Sequence, residues 1–160
     1  MKLKKTARTL LEGPDGRFYL AVHRYRNPAN KGKWSTIGGT AEPFDKNIDE
    51  TLHRELLEEL SEENYNNISI IQKVNSIQVD GKEHIFFYCK ISQLLNISLL
   101  DRTELHDVQL FTLPEIKKLQ EENKLFFGNE YDLISQVSNC LLYTSPSPRD
   151  QRGSRMPSSA

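Results

Sequence analysis

Residues Gly32 to Glu63, GKWSTIGGTAEPFDKNIDETLHRELLEELSEE, decide how the whole chain is read. The second half has a helical period: Leu52, Leu56, Leu57 and Leu60 form one stripe, and Glu55, Glu58, Glu59 and Glu62 form the stripe beside it. Asn47, with Glu50 three residues on, has the form of a capping box, so a helix is expected from about Asn47 to Glu62. Like charges three and four residues apart cost a helix about 0.2–0.5 kcal/mol per pair, so the acidic stripe asks for a positive partner. Arg54 supplies part of it, flanked at four-residue spacing by Glu50 and Glu58. A hard divalent cation would supply more, because carboxylate oxygens are the ligands that Mg²⁺ prefers. A Glu-rich face alone is also an ordinary solvated surface. The neighbouring Gly38-Gly39 favours the first reading, since backbone without a Cβ can come close to a ligand.

Outward from this segment, alternating and β-rich runs predict strands at Lys5–Leu11, Phe18–Arg24, Ile68–Gln78, His84–Ile91 and Asp107–Phe111. Turns follow from Gly13-Pro14-Asp15-Gly16 and from Asp80-Gly81, the latter suited to a hairpin. Pro114 opens a second helix through Ile116 and Leu119, and Asn129 caps a third carrying Tyr131, Leu133, Ile134 and Val137. Strands on both sides of a helix, with helices to finish, predict an α/β sandwich.

A chain of 160 residues that is 37% hydrophobic supports one domain with an ordinary core. The net charge of −1 provides no global field toward nucleic acid or an anionic membrane, so phosphate affinity must be local. No apolar run reaches membrane-span or signal-peptide length, and Cys89 and Cys140 do not suggest a disulfide framework. A cytoplasmic location is the expectation. From Leu141 the composition turns to LLYTSPSPRDQRGSRMPSSA, which cannot build a core and resembles the translation of a sequencing adapter. The domain is therefore expected over 1–140, with 141–160 a disordered, non-native tail.

Gly39, Asp45 and the run Arg54-Glu55-Leu56-Leu57-Glu58-Glu59, together with Trp34 and Glu42, resemble the signature of the Nudix hydrolases over most of residues 1–140. Two departures stand out. Eight residues separate Asp45 from Arg54 where the family has seven, which places Lys46 at the regular acidic position, and Ser61 replaces the usual glycine after the Glu-Glu pair. The resemblance implies an α/β/α sandwich with a mixed sheet and a catalytic loop-helix-loop. It also implies Mg²⁺-dependent (or Mn²⁺-dependent) water attack on a nucleoside diphosphate linked to another moiety: an NTP, a nucleotide sugar or a dinucleoside polyphosphate. Glu55 and Glu59 are the expected principal ligands, Glu58 a ligand or base, Arg54 the group that orients Glu55, and Glu104 a late acidic residue brought to the metal.

Arg24, Arg26, Lys31 and Lys33 form a basic stretch placed to meet the charge of a small nucleotide substrate, with Gly38 and Gly39 as close-approach backbone. Trp34 could stack on a base or belong to the core. His106 could touch substrate or face solvent, and His53 lies on the apolar side of the wheel. A Nudix-fold module that binds a nucleotide without cutting it is the alternative from another class. Action on RNA is disfavoured by the lack of a basic stripe.

Overall fold

The computed structural model describes residues 4–24, 31–79 and 81–144, with the side chains of the last helix described as far as residue 137. In chain order the elements are β1 (Lys4–Glu12), β2 (Phe18–His23), β3 (Trp34–Ser35), β4 (Ile37–Thr40), α1 (Ile48–Tyr65), β5 (Ile68–Val79), β6 (Lys82–Ile91), β7 (Leu105–Phe111), α2 (Leu113–Glu121) and α3 (Glu130–Thr144). All five expected strands and three expected helices are present.

The sheet is mixed. Its path is β3-β2-β1-β6-β5, β4 also pairs with β1, and β7 also pairs with β2. The β1–β6 pair is parallel and runs the full length of β1, from Lys4 opposite Lys82 to Glu12 opposite Lys90. On its other edge β1 is shared: Leu11 and Glu12 face β2, whereas Thr6 to Thr9 face β4. The sheet therefore forks beside β1. The chain crosses the fork at Thr36, since Ser35 pairs with Ala21 of β2 and Ile37 pairs with Thr9 of β1.

Alternation along the strands sends side chains to two cores. Ala7 and Leu11 of β1 and Ile85, Phe87 and Cys89 of β6 pack under Leu52, Leu56 and Leu60 of α1. Leu10, Phe86 and Tyr88, the residues between, pack under Ile116 of α2 and Leu133, Ile134 and Val137 of α3. The result is the expected α/β/α sandwich, and Cys89 is a buried free thiol.

Several local expectations change. The strands β3 and β4 were not anticipated, because six residues containing two glycines carry no strand-length pattern. The backbone of α3 runs to Thr144, past the expected boundary at Leu141. The tail residues 145–160 and Asp80 of the hairpin lie outside the described residues.

Helix α1 is not continuous. Ser61 has φ 77 and ψ 162, which breaks it before its last turn and removes Glu62 from the stripe predicted for a straight helix. Leu57 is 43% exposed. His53 is exposed too, and its ring contacts Tyr65 edge-on with Nδ1 bonded to the phenol oxygen, so it is not a core residue. No helix among the described residues is long and apolar enough to cross a membrane.

Candidate active site

The site is built around Arg54 and the loop before α1. Asn47 caps the helix by accepting from the Glu50 amide at 2.9 Å. Glu50 in turn accepts from the Lys46 amide, so its carboxylate serves the cap and not the ion pair with Arg54 expected from spacing. The loop closes on Asp45, which accepts from the Glu42 amide and from the Thr51 hydroxyl, both at 2.9 Å.

Arg54 then grips Asp45 with two donors, Nε to Oδ1 at 3.1 Å and Nη2 to Oδ2 at 3.0 Å. The extra loop residue is thus absorbed, and Asp45, not Lys46, is the partner. This side-chain bonding holds the Asp45 carboxyl well below the usual carboxylate range. Nη2 also donates to the Thr40 carbonyl at 3.0 Å, which ties the helix to the end of β4. Nη1 donates to Glu55 at 2.8 Å and to Glu58 at 3.3 Å, and the Phe44 ring lies over the guanidinium at 5.3 Å.

The glycines make room for this arrangement. A Cβ on Gly39 would sit 2.3 Å from the Glu55 carboxyl carbon, and one on Gly38 would sit 1.9 Å from the Ala7 carbonyl oxygen. Gly39 thus gives Glu55 its seat, and Gly38 lets β4 lie against β1.

The three glutamates of the expected stripe that precede the break at Ser61 have different environments. Glu58 is 58% exposed. Glu55 is largely covered; burial pushes its carboxyl up and Arg54 works against that shift. Glu59 is 6% exposed, and its Oε1 is buried without a hydrogen-bond partner. Burial, then the charge of Glu55, pushes the Glu59 carboxyl up to about 8. Among the described residues no three acidic, histidine or cysteine side chains converge as a ready-made cation site. The reason is visible in the bonding: Arg54 draws Glu55 and Glu58 to itself while Glu59 turns inward.

Glu104 lies in the exposed turn beside Glu59 and its charge reaches that carboxyl, as does that of Asp101, whose amide donates to the Glu59 carbonyl at 2.9 Å. Arg24 is exposed and adjoins the same turn, its amide donating to the Glu104 carbonyl. Arg26 lies outside the described residues. Lys31 is exposed and Lys33 half-buried. Trp34 is half-buried and packs on the sheet face opposite α1, edge-on to Phe111 at 4.9 Å. His106 is exposed.

Sequence reasoning missed a buried polar group behind the site. Arg8 on β1 donates through Nε to the Thr36 hydroxyl at 2.9 Å and through Nη2 to the Thr36 carbonyl. His23 on β2 meets the same carbonyl at 2.6 Å. Glu130, fully buried, accepts from the Phe127 amide at 2.9 Å and keeps its other oxygen unpartnered. A lone arginine at an inward position of the strand KTARTLLE was the available signal.

The model of the NUDIX domain family matches residues 2–128. The chain belongs to the NUDIX domain family. Its enzyme class is accordingly the Nudix-type pyrophosphohydrolase. Among curated proteins none matches it in sequence. Solved structures do. An Ap4A hydrolase from C. elegans superposes with a TM-score of 0.67 at 16% identity, over 86% of this chain and 98% of that one. A MutT protein from Methanosarcina mazei Go1 gives 0.61 at 20% identity, over 85% and 93%. A UDP-X diphosphatase gives 0.62 at 17% identity, over 88% of this chain and 64% of the other. At such identities the likeness is one of fold, and it agrees with the sandwich described for this Nudix chain.

Proposed function

We propose that this Nudix protein is a divalent-cation-dependent hydrolase that cleaves a diphosphate linkage in a nucleoside diphosphate joined to another moiety. The observation that carries the reading is the Glu59 oxygen, buried and unpartnered beside the Glu55 carboxylate. Burial favours the protonated form of that carboxyl, and a cation taking the place of the proton would give the buried oxygen the partner it lacks. The donors available are all hard oxygens, which suits Mg²⁺ or Mn²⁺.

Glu55 and Glu59 would hold the cation, with Glu58 and Glu104 as the exposed carboxylates at its rim. When bound, the cation draws charge from the phosphoryl oxygens and eases deprotonation of water. The chain's own groups do the rest. Arg54 fixes Glu55 and Glu58, and Asp45 fixes Arg54. Glu58, free to reach solvent, takes the proton as water adds to one phosphorus and the bridging P–O bond breaks, leaving a nucleoside monophosphate and the phosphorylated second moiety. Arg24, Arg26 and Lys33 offer positive charge to the phosphates, and Gly39 gives Glu55 its seat. Structural neighbours named for Ap4A and UDP-X support a nucleotide joined to a second group.

A panel of NTPs, nucleotide sugars and dinucleoside polyphosphates, incubated with protein and Mg²⁺, tests the reading. Release of monophosphate is expected, abolished by a chelator. Glu59→Gln should lose more than the roughly 10–100-fold that follows loss of an outer partner of a metal ligand. Turnover undiminished by chelation overturns the proposal; tight nucleotide binding without turnover at saturating Mg²⁺ replaces it with the sensing module.

A further inference from the structure

Thr36 is the residue at which the chain leaves β2 for β1, so its carbonyl is not part of either ladder. It is nevertheless fully buried. A buried carbonyl outside the ladders needs donors from elsewhere, and two side chains supply them: Arg8 Nη2 from β1 and His23 Nε2, at 2.6 Å, from β2. Arg8 adds Nε to the Thr36 hydroxyl at 2.9 Å and reaches the Ser35 hydroxyl at 3.5 Å. Three residues later, Gly39 lies against the Glu55 carboxylate, closer than any side chain would allow.

We propose that Arg8 is a positioning residue for the active site, acting through Thr36 to hold the Gly38-Gly39 segment where it seats Glu55. The proposal rests on the assignment of Glu55 to the cation site. Arg8 is half-buried, its guanidinium 5.6 Å from the Phe127 ring centre and its donors directed at Thr36 and Ser35. Its fork geometry matters, because a planar guanidinium serves the Thr36 hydroxyl and carbonyl together, whereas an ammonium is a point donor. Its charge is placed to matter as well: the carboxyls of Glu59, Glu130 and Glu55 all act on it electrostatically. Burying a guanidinium is costly, and here its two bonds to Thr36 go to the segment that shapes the site.

The deciding variant is Arg8→Lys, which keeps the charge and loses the fork. Two readouts are taken on folded protein: hydrogen exchange at the Gly38, Gly39 and Thr40 amides, and affinity for Mn²⁺ alone, measured by electron paramagnetic resonance. Exchange is expected to quicken on the order of tenfold in this segment while Phe86 to Tyr88 of β6 keep their protection. Mn²⁺ affinity is expected to weaken about tenfold. Thr36→Val, which removes only the hydroxyl acceptor, should move both readouts in the same direction by less, and it serves if Arg8→Lys does not fold. A lower melting temperature with exchange and Mn²⁺ affinity unchanged would mean that Arg8 is merely structural, and overturns the proposal. Wild-type protein that binds no Mn²⁺ would instead sink the cation-site reading, and the exchange arm alone would then decide the role of Arg8.

Discussion

Replacing Ser61 by glycine should stabilise this protein, and the size of the effect follows from one backbone angle. Ser61 sits at φ 77, ψ 162, a region that belongs almost entirely to glycine and costs other residues about 1–3 kcal/mol. Glycine gives back about 0.5–1 kcal/mol through the greater freedom of its unfolded chain. The hydroxyl is a separate matter: Ser61 Oγ is buried with no partner, and its removal is favourable in either variant. Ser61→Ala therefore removes the hydroxyl and keeps the strain, while Ser61→Gly removes both. The difference between them isolates the backbone and is expected near 1 kcal/mol, about 2–4 °C in melting temperature for a chain of this size. Urea titration and scanning calorimetry of the three proteins, without added metal, measure it. Alanine equal to or better than glycine would refute the strain argument and with it the placement of the break in α1.

Other consequences follow from the buried charges. Glu130, its carboxyl pushed up to about 8 by burial, holds its proton more tightly folded than unfolded, so wild-type stability should fall as pH rises from 4.5 toward 8. Glu59, also pushed up to about 8, contributes over the same range, so Glu130→Gln should make that slope shallower by about half, and urea titrations from pH 5 to 9 in which variant and wild type show the same slope would count against it. Asp45 is shifted the other way, chiefly by the bond from Arg54, so its contribution is present above the ordinary value of 3.8 and lost as pH falls below it. Asp45→Asn should lower kcat about 10–100-fold by freeing Arg54, and its stability deficit should shrink on acidification; full activity would show that Arg54 needs no such anchor. Gly39→Ala forces the Glu55 carboxylate from its seat, so Mg²⁺-dependent turnover should drop at least tenfold in a protein that still folds, and wild-type turnover would contradict the close approach.

Local sequence rules sufficed where an element's pattern is written in its own residues. The apolar alternation of β1 and β6, the cap at Asn47 and the leucine face of α1 each predict their structure, because the same few residues make the element and bury it. The signature from Gly39 to Glu59 likewise pointed to the family and the acidic helix. Spacing along a helix was less reliable for charge partners. It assigned Glu50 to Arg54, but tertiary geometry brought Asp45 there from the loop, since two bonds to one carboxylate outweigh an exposed pair at four-residue spacing.

A helical wheel assumes an unbroken axis and equal environments around it, and neither holds in α1. Ser61 interrupts the axis, and the sheet beneath decides that Glu59 is buried while Glu58 meets solvent. The residues beneath the site were beyond any local rule. Arg8, His23 and Thr36 come from three separate segments, and they meet at the Thr36 carbonyl where the sheet forks beside β1. Amino-acid order carried the helix, the strands and the acidic chemistry by itself. Which carboxylates are covered, and what holds them in place, depends on desolvation, a property of the packed interior that no short stretch of chain possesses.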